Sequence, residues 1–302
     1  MSEKKPDFSC MGCEYINCFN LFKKSEDSDD AGQEIYVYSI LGEKVHGKWD
    51  FLSAHVCANG KFLNASCFLT GPLYKQQKKS YLAEILVQAT RDFKASIFLA
   101  FSGHYRQAMQ VLRCAFENIV SGIYFQSDLV NLINEKADAQ HFAKLDRRVN
   151  EWKRQGRGDI RKSIEVLRRI NFLSRDEEKD YYKLYGLLSK FIHTPKEFDT
   201  YVKHTTGETK LKREIICPAC TYFHEEHLVE WSGCFQRVFA LQLKAISTFY
   251  PQTFLTEPGK LATKMIEGMV KDFADKIEVT NKIQEILQTV KKRASIGNAS
   301  RH

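Results

Sequence analysis

Proline and long apolar runs are both scarce in this chain of 302 residues, which contains six prolines. Few prolines leave helices uninterrupted, and this favours a mainly α-helical fold over an all-β fold, whose turns need more chain breakers. The longest apolar run, ASIFLAF at 95–101, falls well short of the roughly 18 residues that span a bilayer. The first ten residues lack the apolar segment of a secretory signal peptide. We therefore expect a cytoplasmic protein that has no membrane partner.

Several motifs that would identify an enzyme class are also missing. The sequence contains no GxxxxGK[ST] phosphate loop, no GxGxxG fingerprint and no GxSxG elbow. The histidines of HEEH at 224–227 are three residues apart, whereas a zincin protease places them four apart on a helix. The net charge of +8 is compatible with a nucleic-acid partner and does not by itself require one.

The chain divides into three zones by composition and periodicity. Residues 1–75 are predicted to form a small cysteine-containing element with β-strands, because Asn59-Gly60 between two strand-like segments is a hairpin signal. Residues 76–195 are predicted to form a helical core. Residues 196–302 contain the CPAC motif and further helices that pack on that core. We therefore expect a bundle of about six or seven helices with a small N-terminal element.

Helix boundaries are marked in the core and C-terminal zones. Ser174 and Glu177 form a capping box at the start of a helix that should end at His193, shortly before Pro195. Pro251 should terminate the helix that follows CPAC. A single apolar stripe predicts one long last helix, with members Leu261, Met265, Met269, Phe273, Ile277, Ile283, Leu287 and Val290.

Two CxxC pairs predict a structural zinc site. Cys10 and Cys13 form the first pair, and Cys217 and Cys220 form the second. Four thiolates make a closed tetrahedral Zn²⁺ site, and the two pairs would connect distant segments of the chain. A local site of Cys217, Cys220, His224 and His227 is an alternative, as are an iron–sulfur cluster and free thiols. Cys18 is a spare cysteine beside the first pair. The other four cysteines, Cys57, Cys67, Cys114 and Cys234, are predicted to be small core residues.

Two apolar helices carry polar residues at a spacing of four. Arg113 and Glu117 lie on one face of the first helix, and Ser189 and His193 lie on one face of the second. Burying such groups singly is costly, so we expect them to satisfy one another across a helix–helix contact. One interpretation is a structural Arg–Glu pair that holds a neighbouring helix. The other is a polar pocket in which His193 acts as general acid or base, with Ser189, Arg113 and Glu117 as candidate catalytic residues.

These residues also carry a resemblance. The chain resembles HEPN-like helical families over about 80–195, and more narrowly an uncharacterised bacterial group with LRxxxE and YxxLSxxxH motifs. The matching residues are Leu112, Arg113, Glu117, Tyr185, Leu188, Ser189 and His193.

Many HEPN proteins are metal-independent ribonucleases that dimerise to form a composite site, some of them in bacterial defence or toxin systems. The resemblance therefore implies an RNA-binding or RNA-cleaving protein that forms a homodimer. The usual motif has an Arg separated from the His by four to six residues, and Gly186, Leu187 and Leu188 stand there instead. His193 is the only matching member. The alternative function is a non-catalytic helical protein-interaction module in which the zinc and the polar cluster are structural.

A basic segment at 144–169 provides a candidate RNA contact. Ten Lys and Arg side chains in this segment are opposed by four carboxylates. Such an excess around a Gly-Arg-Gly loop suits a phosphate backbone, although a solvated helix face is the commoner reason for a charge run. Trp152 within the segment is either a base-stacking residue or a core anchor.

Overall fold

The computed structural model describes residues 49–74, 80–101, 104–155, 159–193, 225–272, 274 and 277–299, with side chains except at 49–57, 101, 155, 191–193, 225, 226 and 293–299. Within these ranges there are nine α-helices and no strand, which confirms the prediction of a mainly α fold. The helices are α1 (Trp49–Thr70), α2 (Tyr81–Phe101), α3 (Tyr105–Asn134), α4 (Ala139–Gln155), α5 (Ile160–Arg169), α6 (Arg175–His193), α7 (Glu225–Phe249), α8 (Glu257–Asp272) and α9 (Thr280–Ala299).

One hydrophobic cluster runs through the bundle, from Phe62 of α1 to Val290 of α9. Helix α3 lies at its centre and packs against α2, α5, α6 and α7, while α8 packs against α1 and α9. Aromatic contacts connect distant segments, such as Phe62 with Phe239, whose ring centroids are 4.6 Å apart. A satellite cluster around Phe125, Leu145 and Val149 seats α4 on the outer side of α3.

The predicted hairpin at Asn59-Gly60 is wrong, because α1 runs through both residues without a turn. Asn59 is fully buried, and its Nδ2 donates to Ser232 Oγ of α7 at 2.8 Å. Buried apolar side chains recur at a helical spacing around it, at Phe62, Ala65 and Leu69. Tertiary packing of this stripe therefore overrides the local turn signal. The rest of the predicted N-terminal element, residues 1–48, lies outside the described residues.

The predicted single last helix is also wrong, since α8 ends at Asp272 and α9 begins at Thr280. Between them, the backbone N–H of Glu278 donates to Gln236 Oε1 of α7 at 3.0 Å, and the Glu278 carboxylate pairs with Arg237. These contacts hold the connection against α7 and turn the chain. Several members of the predicted stripe, Met269, Ile277, Ile283, Leu287 and Val290, belong to one core on both sides of the break, whereas Leu261 is 47% exposed.

Other predicted boundaries are confirmed. Ser174 Oγ accepts from the Glu177 N–H at 3.2 Å, and Glu177 Oε2 accepts from the Ser174 N–H at 2.8 Å, as in a capping box. Helix α6 ends at His193, and α7 ends at Phe249, after which a 3-10 helix starts at Pro251. No helix among the described residues is both long and apolar enough to cross a membrane.

The cysteines predicted to be small core residues divide into two groups. Cys234 is buried, as predicted, and its burial raises the pKa of its thiol to about 12. Cys67 and Cys114 are exposed instead, because they lie on the outer faces of α1 and α3. The side chain of Cys57 lies outside the described residues.

Candidate functional site

Arg113 and Glu117 form a partly buried ion pair on the side of α3 that is next to α6. Arg113 Nε donates to Glu117 Oε1 at 2.5 Å, and the two side chains are 14% and 24% exposed. Arg113 Nη2 also donates to the hydroxyl of Tyr185 on α6 at 3.2 Å. The guanidinium carbon lies 5.1 Å from the centroid of the Tyr185 ring, which is within the range of a cation–π contact. The pair therefore connects α3 to α6.

The electrostatics of this cluster favour a permanently charged arginine. Burial opposes the charge of Arg113, but the hydrogen bond and the charge of Glu117 outweigh it, so that the pKa of Arg113 is raised. Tyr185 stacks on Phe116 of α3, with ring centroids 6.4 Å apart and planes 30° apart. The Tyr185 ring thus contacts both Phe116 of the core and the guanidinium of Arg113. An arginine engaged in this way has little freedom to move to a substrate.

Ser189 and His193 occupy the last two turns of α6. The Ser189 hydroxyl donates to the Tyr185 carbonyl oxygen at 2.5 Å, so it bonds to the helix backbone. Tyr185, which provides this acceptor, also contacts Arg113. Ser189 therefore lies one helical turn after the residue of α6 that contacts the ion pair. His193 is the last residue of α6, and its side chain lies outside the described residues. The catalytic roles of Ser189, His193, Arg113 and Glu117 therefore stay predictions.

Sequence reasoning missed an anionic neighbour of this cluster, Asp92 on α2. Burial raises the pKa of Asp92, while a hydrogen bond from Gln88 at 3.0 Å opposes the rise. Burial also raises the pKa of the Cys114 thiol, and the charges of Glu117 and Asp92 add to this effect. Cys114 is therefore a poor thiolate nucleophile. The available signal was an Asp next to the buried Phe93 in an apolar helix, but its relation to Cys114 depends on how α2 packs on α3.

The basic segment lies on two consecutive helices, α4 and α5, and its cations fall into two groups. Four are paired: Arg148 with Asp128, Lys153 with Glu84, Arg168 with Glu178 and Arg169 with Glu165. Five others are exposed and have no carboxylate partner among the described residues. The tenth cation of the segment, Arg157, lies outside the described residues. We call the five exposed cations the basic face, and they are Lys144, Arg147 and Arg154 of α4 and Arg161 and Lys162 of α5.

Most carboxylates of the same segment are engaged elsewhere. Asp146 accepts from the Tyr81 hydroxyl, and Glu165 pairs with Arg169. Asp159 caps α5 by accepting from the Lys162 N–H at 3.1 Å. Glu151 is exposed and lies between Arg147 and Arg154 on the same side of α4, at spacings of four and three. The basic face therefore presents five cations and one carboxylate to its surroundings.

Trp152 and Arg148 fix α4 in its position. Trp152 lies 5.7 Å from Phe125 of α3 in an edge-on arrangement, as part of the satellite cluster, which makes it an anchor of that cluster. Arg148 stacks over Tyr124 at 5.3 Å and pairs with Asp128 at 3.0 Å. The apolar and paired residues of α4 thus face α3 and α2, and its unpaired cations are exposed.

The predicted zinc ligands Cys10, Cys13, Cys217 and Cys220 all lie outside the described residues. His224, a ligand in the alternative site, lies outside them as well. His227 is described, and its ring packs edge-on against Tyr105 with centroids 5.7 Å apart. Within the part of the chain that the structure describes, no three His, Cys, Asp or Glu side chains are grouped so that they could hold a metal ion.

Comparison of this chain with family models, with curated proteins and with solved structures finds no match.

Proposed function

We propose that this chain is a HEPN-like helical protein that binds RNA through the basic face of α4 and α5. The observation that carries the proposal is the division of the basic segment into paired and unpaired cations. Four of its cations form ion pairs, three of them between helices, and five have no carboxylate partner among the described residues. A phosphate backbone is the partner that such a group fits, because each contact releases a counterion.

A pair of charge-matched variants tests this proposal. The first variant, Arg147→Gln/Arg154→Gln/Lys162→Gln, removes three cations of the basic face. The second variant removes three paired cations of the same two helices, Lys153→Gln/Arg168→Gln/Arg169→Gln. Both variants lower the net charge by three, so the long-range field changes equally. We expect the first to weaken binding of a mixed-sequence single-stranded RNA by at least about tenfold at fixed salt, which corresponds to about 1.4 kcal/mol.

The paired-cation variant should bind RNA nearly as well as the unmodified chain, and it should be the less stable of the two variants. Equal loss of affinity in both variants would show that only the net charge matters, and would contradict a specific basic face. Retention of full affinity by the first variant would contradict the proposal as well.

Binding without cleavage is the form of this function that the cluster at Arg113 supports. A HEPN ribonuclease needs an arginine near its histidine, and Arg113 is engaged by Glu117 and Tyr185. His193→Ala decides between the two forms. If the chain cleaves RNA, this variant should stay folded and lose cleavage. If His193 is structural, the variant should melt at a lower temperature and bind RNA as before.

We also propose one structural zinc ion on Cys10, Cys13, Cys217 and Cys220. The support is the chemistry of two CxxC pairs, which supply four thiolates. Elemental analysis of the purified full chain should find one zinc per molecule, and Cys10→Ser/Cys13→Ser should abolish it. Zinc that persists in this variant would favour Cys217, Cys220, His224 and His227 instead.

A second candidate function is a non-catalytic helical protein-interaction module, in which the zinc and the polar cluster are structural. Val130 and Ile133, at the end of α3, favour it, because they are 36% and 58% exposed and lie one turn apart. Large exposed apolar side chains on one helix face are typical of a contact with a protein. Absence of RNA binding at low salt would favour this second function, including a homodimer.

A further inference from the structure

Helix α6 contains a glycine that the fold does not require. Gly186 lies in the middle of the helix, and an added Cβ there would meet nothing within 4 Å. Packing explains the helical glycine Gly122 of α3, where the added Cβ would lie 2.9 Å from Ile85 Cδ1 of α2. A glycine in a helix interior costs stability relative to alanine because it gives the unfolded chain more freedom. Gly186 therefore weakens α6 without relieving a contact inside the bundle.

Two lysines flank Gly186 on the same helix face. Lys183 precedes it by three residues and Lys190 follows it by four, so all three positions lie in one row. Both lysines are exposed, and neither has a carboxylate partner among the described residues. They are seven residues apart, which is about 10 Å along a helix. We call the row of Lys183, Gly186 and Lys190 the α6 lysine ridge, in which two cations flank a position without a side chain.

The α6 lysine ridge lies near the part of the basic face that belongs to α5. The Tyr182 hydroxyl of α6 donates to the Arg161 carbonyl oxygen of α5 at 3.0 Å, and Arg168 of α5 pairs with Glu178 of α6. Arg161, near the start of α5, contacts Tyr182, whereas Arg168, near the end of α5, contacts the earlier residue Glu178. The two helices are therefore antiparallel. Positions after Tyr182 on α6 therefore extend past the start of α5, where Arg161 and Lys162 lie.

We infer that the RNA strand bound at the basic face continues along the α6 lysine ridge and approaches the helix backbone at Gly186. This inference rests on the proposed function. Glycine permits such an approach because no Cβ stands between the helix backbone and the strand. A second copy of this chain fits the ridge less well, because a two-fold contact would bring Lys183 and Lys190 against their own copies, and like charges repel.

The test compares two alanine substitutions in the full chain. Gly186→Ala fills the ridge, and Gly268→Ala is its matched control. Gly268 is also in a helix interior with open space above it, and it is flanked by Lys264 and Lys271, but it lies on α8, which packs against α1 and α9. Both variants should raise the Tm, by roughly 2 °C, because alanine replaces a helical glycine.

RNA affinity should separate the two variants. Gly186→Ala should raise the Kd for single-stranded RNA by at least about fivefold, while Gly268→Ala leaves it unchanged. Lys183→Gln/Lys190→Gln should lower the salt slope of binding by about 1.4, as expected for two lost phosphate contacts on a single strand.

Three results would overturn the inference and leave the proposed function standing. The first is that Gly186→Ala binds RNA as the unmodified chain does, and the second is that both alanine variants lose affinity equally. The third is that Gly186→Ala lowers the Tm, which would show that part of this chain fills the ridge. A change of the molecular mass in solution on Gly186→Ala would assign the ridge to a contact between copies, and would also overturn it. If the unmodified chain binds no RNA, the proposed function fails, and the inference fails with it.

Discussion

The interior around Gln242 and the basic face of α4 and α5 are both polar, but they differ in whether their polar groups have partners within the protein. Gln242 Oε1 accepts from Ser66 Oγ at 2.7 Å, and its Nε2 donates to the Leu86 carbonyl oxygen at 3.1 Å and to Thr90 Oγ1 at 3.2 Å. This network joins α1, α2 and α7 and contains no charge. The basic face has five cations and no carboxylate partner for them among the described residues.

This difference separates polar groups that stabilise the fold from polar groups that are available to a ligand. A buried hydrogen-bond network whose members satisfy one another stabilises the packing of its helices, and it has no atoms left for a ligand. Unpaired surface cations contribute little to stability and remain available to an anion. The Arg113 cluster lies between the two cases, because it is half-buried and engaged by Glu117 and Tyr185. The interior network therefore serves stability, and the basic face is the binding surface that we propose.

Gln242→Leu should have the largest effect on stability. The leucine keeps most of the volume but removes the acceptor of the Ser66 hydroxyl and one donor to the Leu86 carbonyl oxygen, which still accepts from Thr90 Oγ1 at 3.0 Å. We expect the free energy of unfolding to fall by about 2 kcal/mol, measured by urea denaturation. Gln288→Leu, at an exposed position of α9, is the matched control and should change it by less than about 0.5 kcal/mol. Loss of RNA affinity per folded molecule in Gln242→Leu would contradict the separation of the two regions.

Glu177→Gln should have the next largest effect, and its effect should depend on pH. Burial raises the pKa of Glu177, but hydrogen bonds from Lys244 and Ser174 and the charge of Lys282 outweigh it, so the pKa lies below its ordinary value. The stabilisation is therefore full above the unfolded-state pKa of about 4.3 and is lost as the pH falls through the lower folded-state pKa.

The measurement is urea denaturation of the unmodified chain and of Glu177→Gln across the acid range. The variant should be about 1.5 kcal/mol less stable at neutral pH, because Lys244 keeps only one acceptor oxygen and loses the carboxylate charge, and the difference should shrink below about pH 4. Glu285→Gln, at an exposed position of α9, should leave the unfolding midpoint unchanged. A difference that stays constant with pH would contradict the assignment.

Tyr185→Phe should have the smallest effect of the three. It removes the hydroxyl that accepts from Arg113 Nη2 and keeps the ring that stacks on Phe116. We expect a loss of about 1 kcal/mol in the free energy of unfolding, with RNA affinity unchanged. Tyr74→Phe is the control, since Tyr74 is 61% exposed. A large loss of RNA affinity in Tyr185→Phe would show that the Arg113 cluster takes part in RNA binding and is not only structural.

The sequence predicted those parts of the fold that depend on local signals. The capping box at Ser174 and the helix ends at His193 and Phe249 follow from residues within a few positions of each boundary. The Asn59-Gly60 hairpin failed because a turn signal is also local, and the burial of Asn59 against Ser232 of α7 overrides it.

The candidate site was predictable in part for the same reason. The Arg113–Glu117 pair follows from a spacing of four on one helix. Its contact with Tyr185, 72 residues further along the chain, depends on which helices pack together, as does the closed network around Gln242. The division of the basic segment into paired and unpaired cations was not predictable either, because partners such as Glu84 and Asp128 belong to other helices.

The salt dependence of RNA binding tests the central claim most directly. Association constants are measured over a range of salt concentrations for the unmodified chain, for Arg147→Gln/Arg154→Gln/Lys162→Gln and for Lys153→Gln/Arg168→Gln/Arg169→Gln. If the basic face contacts phosphates, the slope of log K against log salt should become shallower by about 2 in the first variant, since each contact with a single strand contributes about 0.7. The second variant should keep the slope of the unmodified chain. Equal slopes in the two variants would contradict the account.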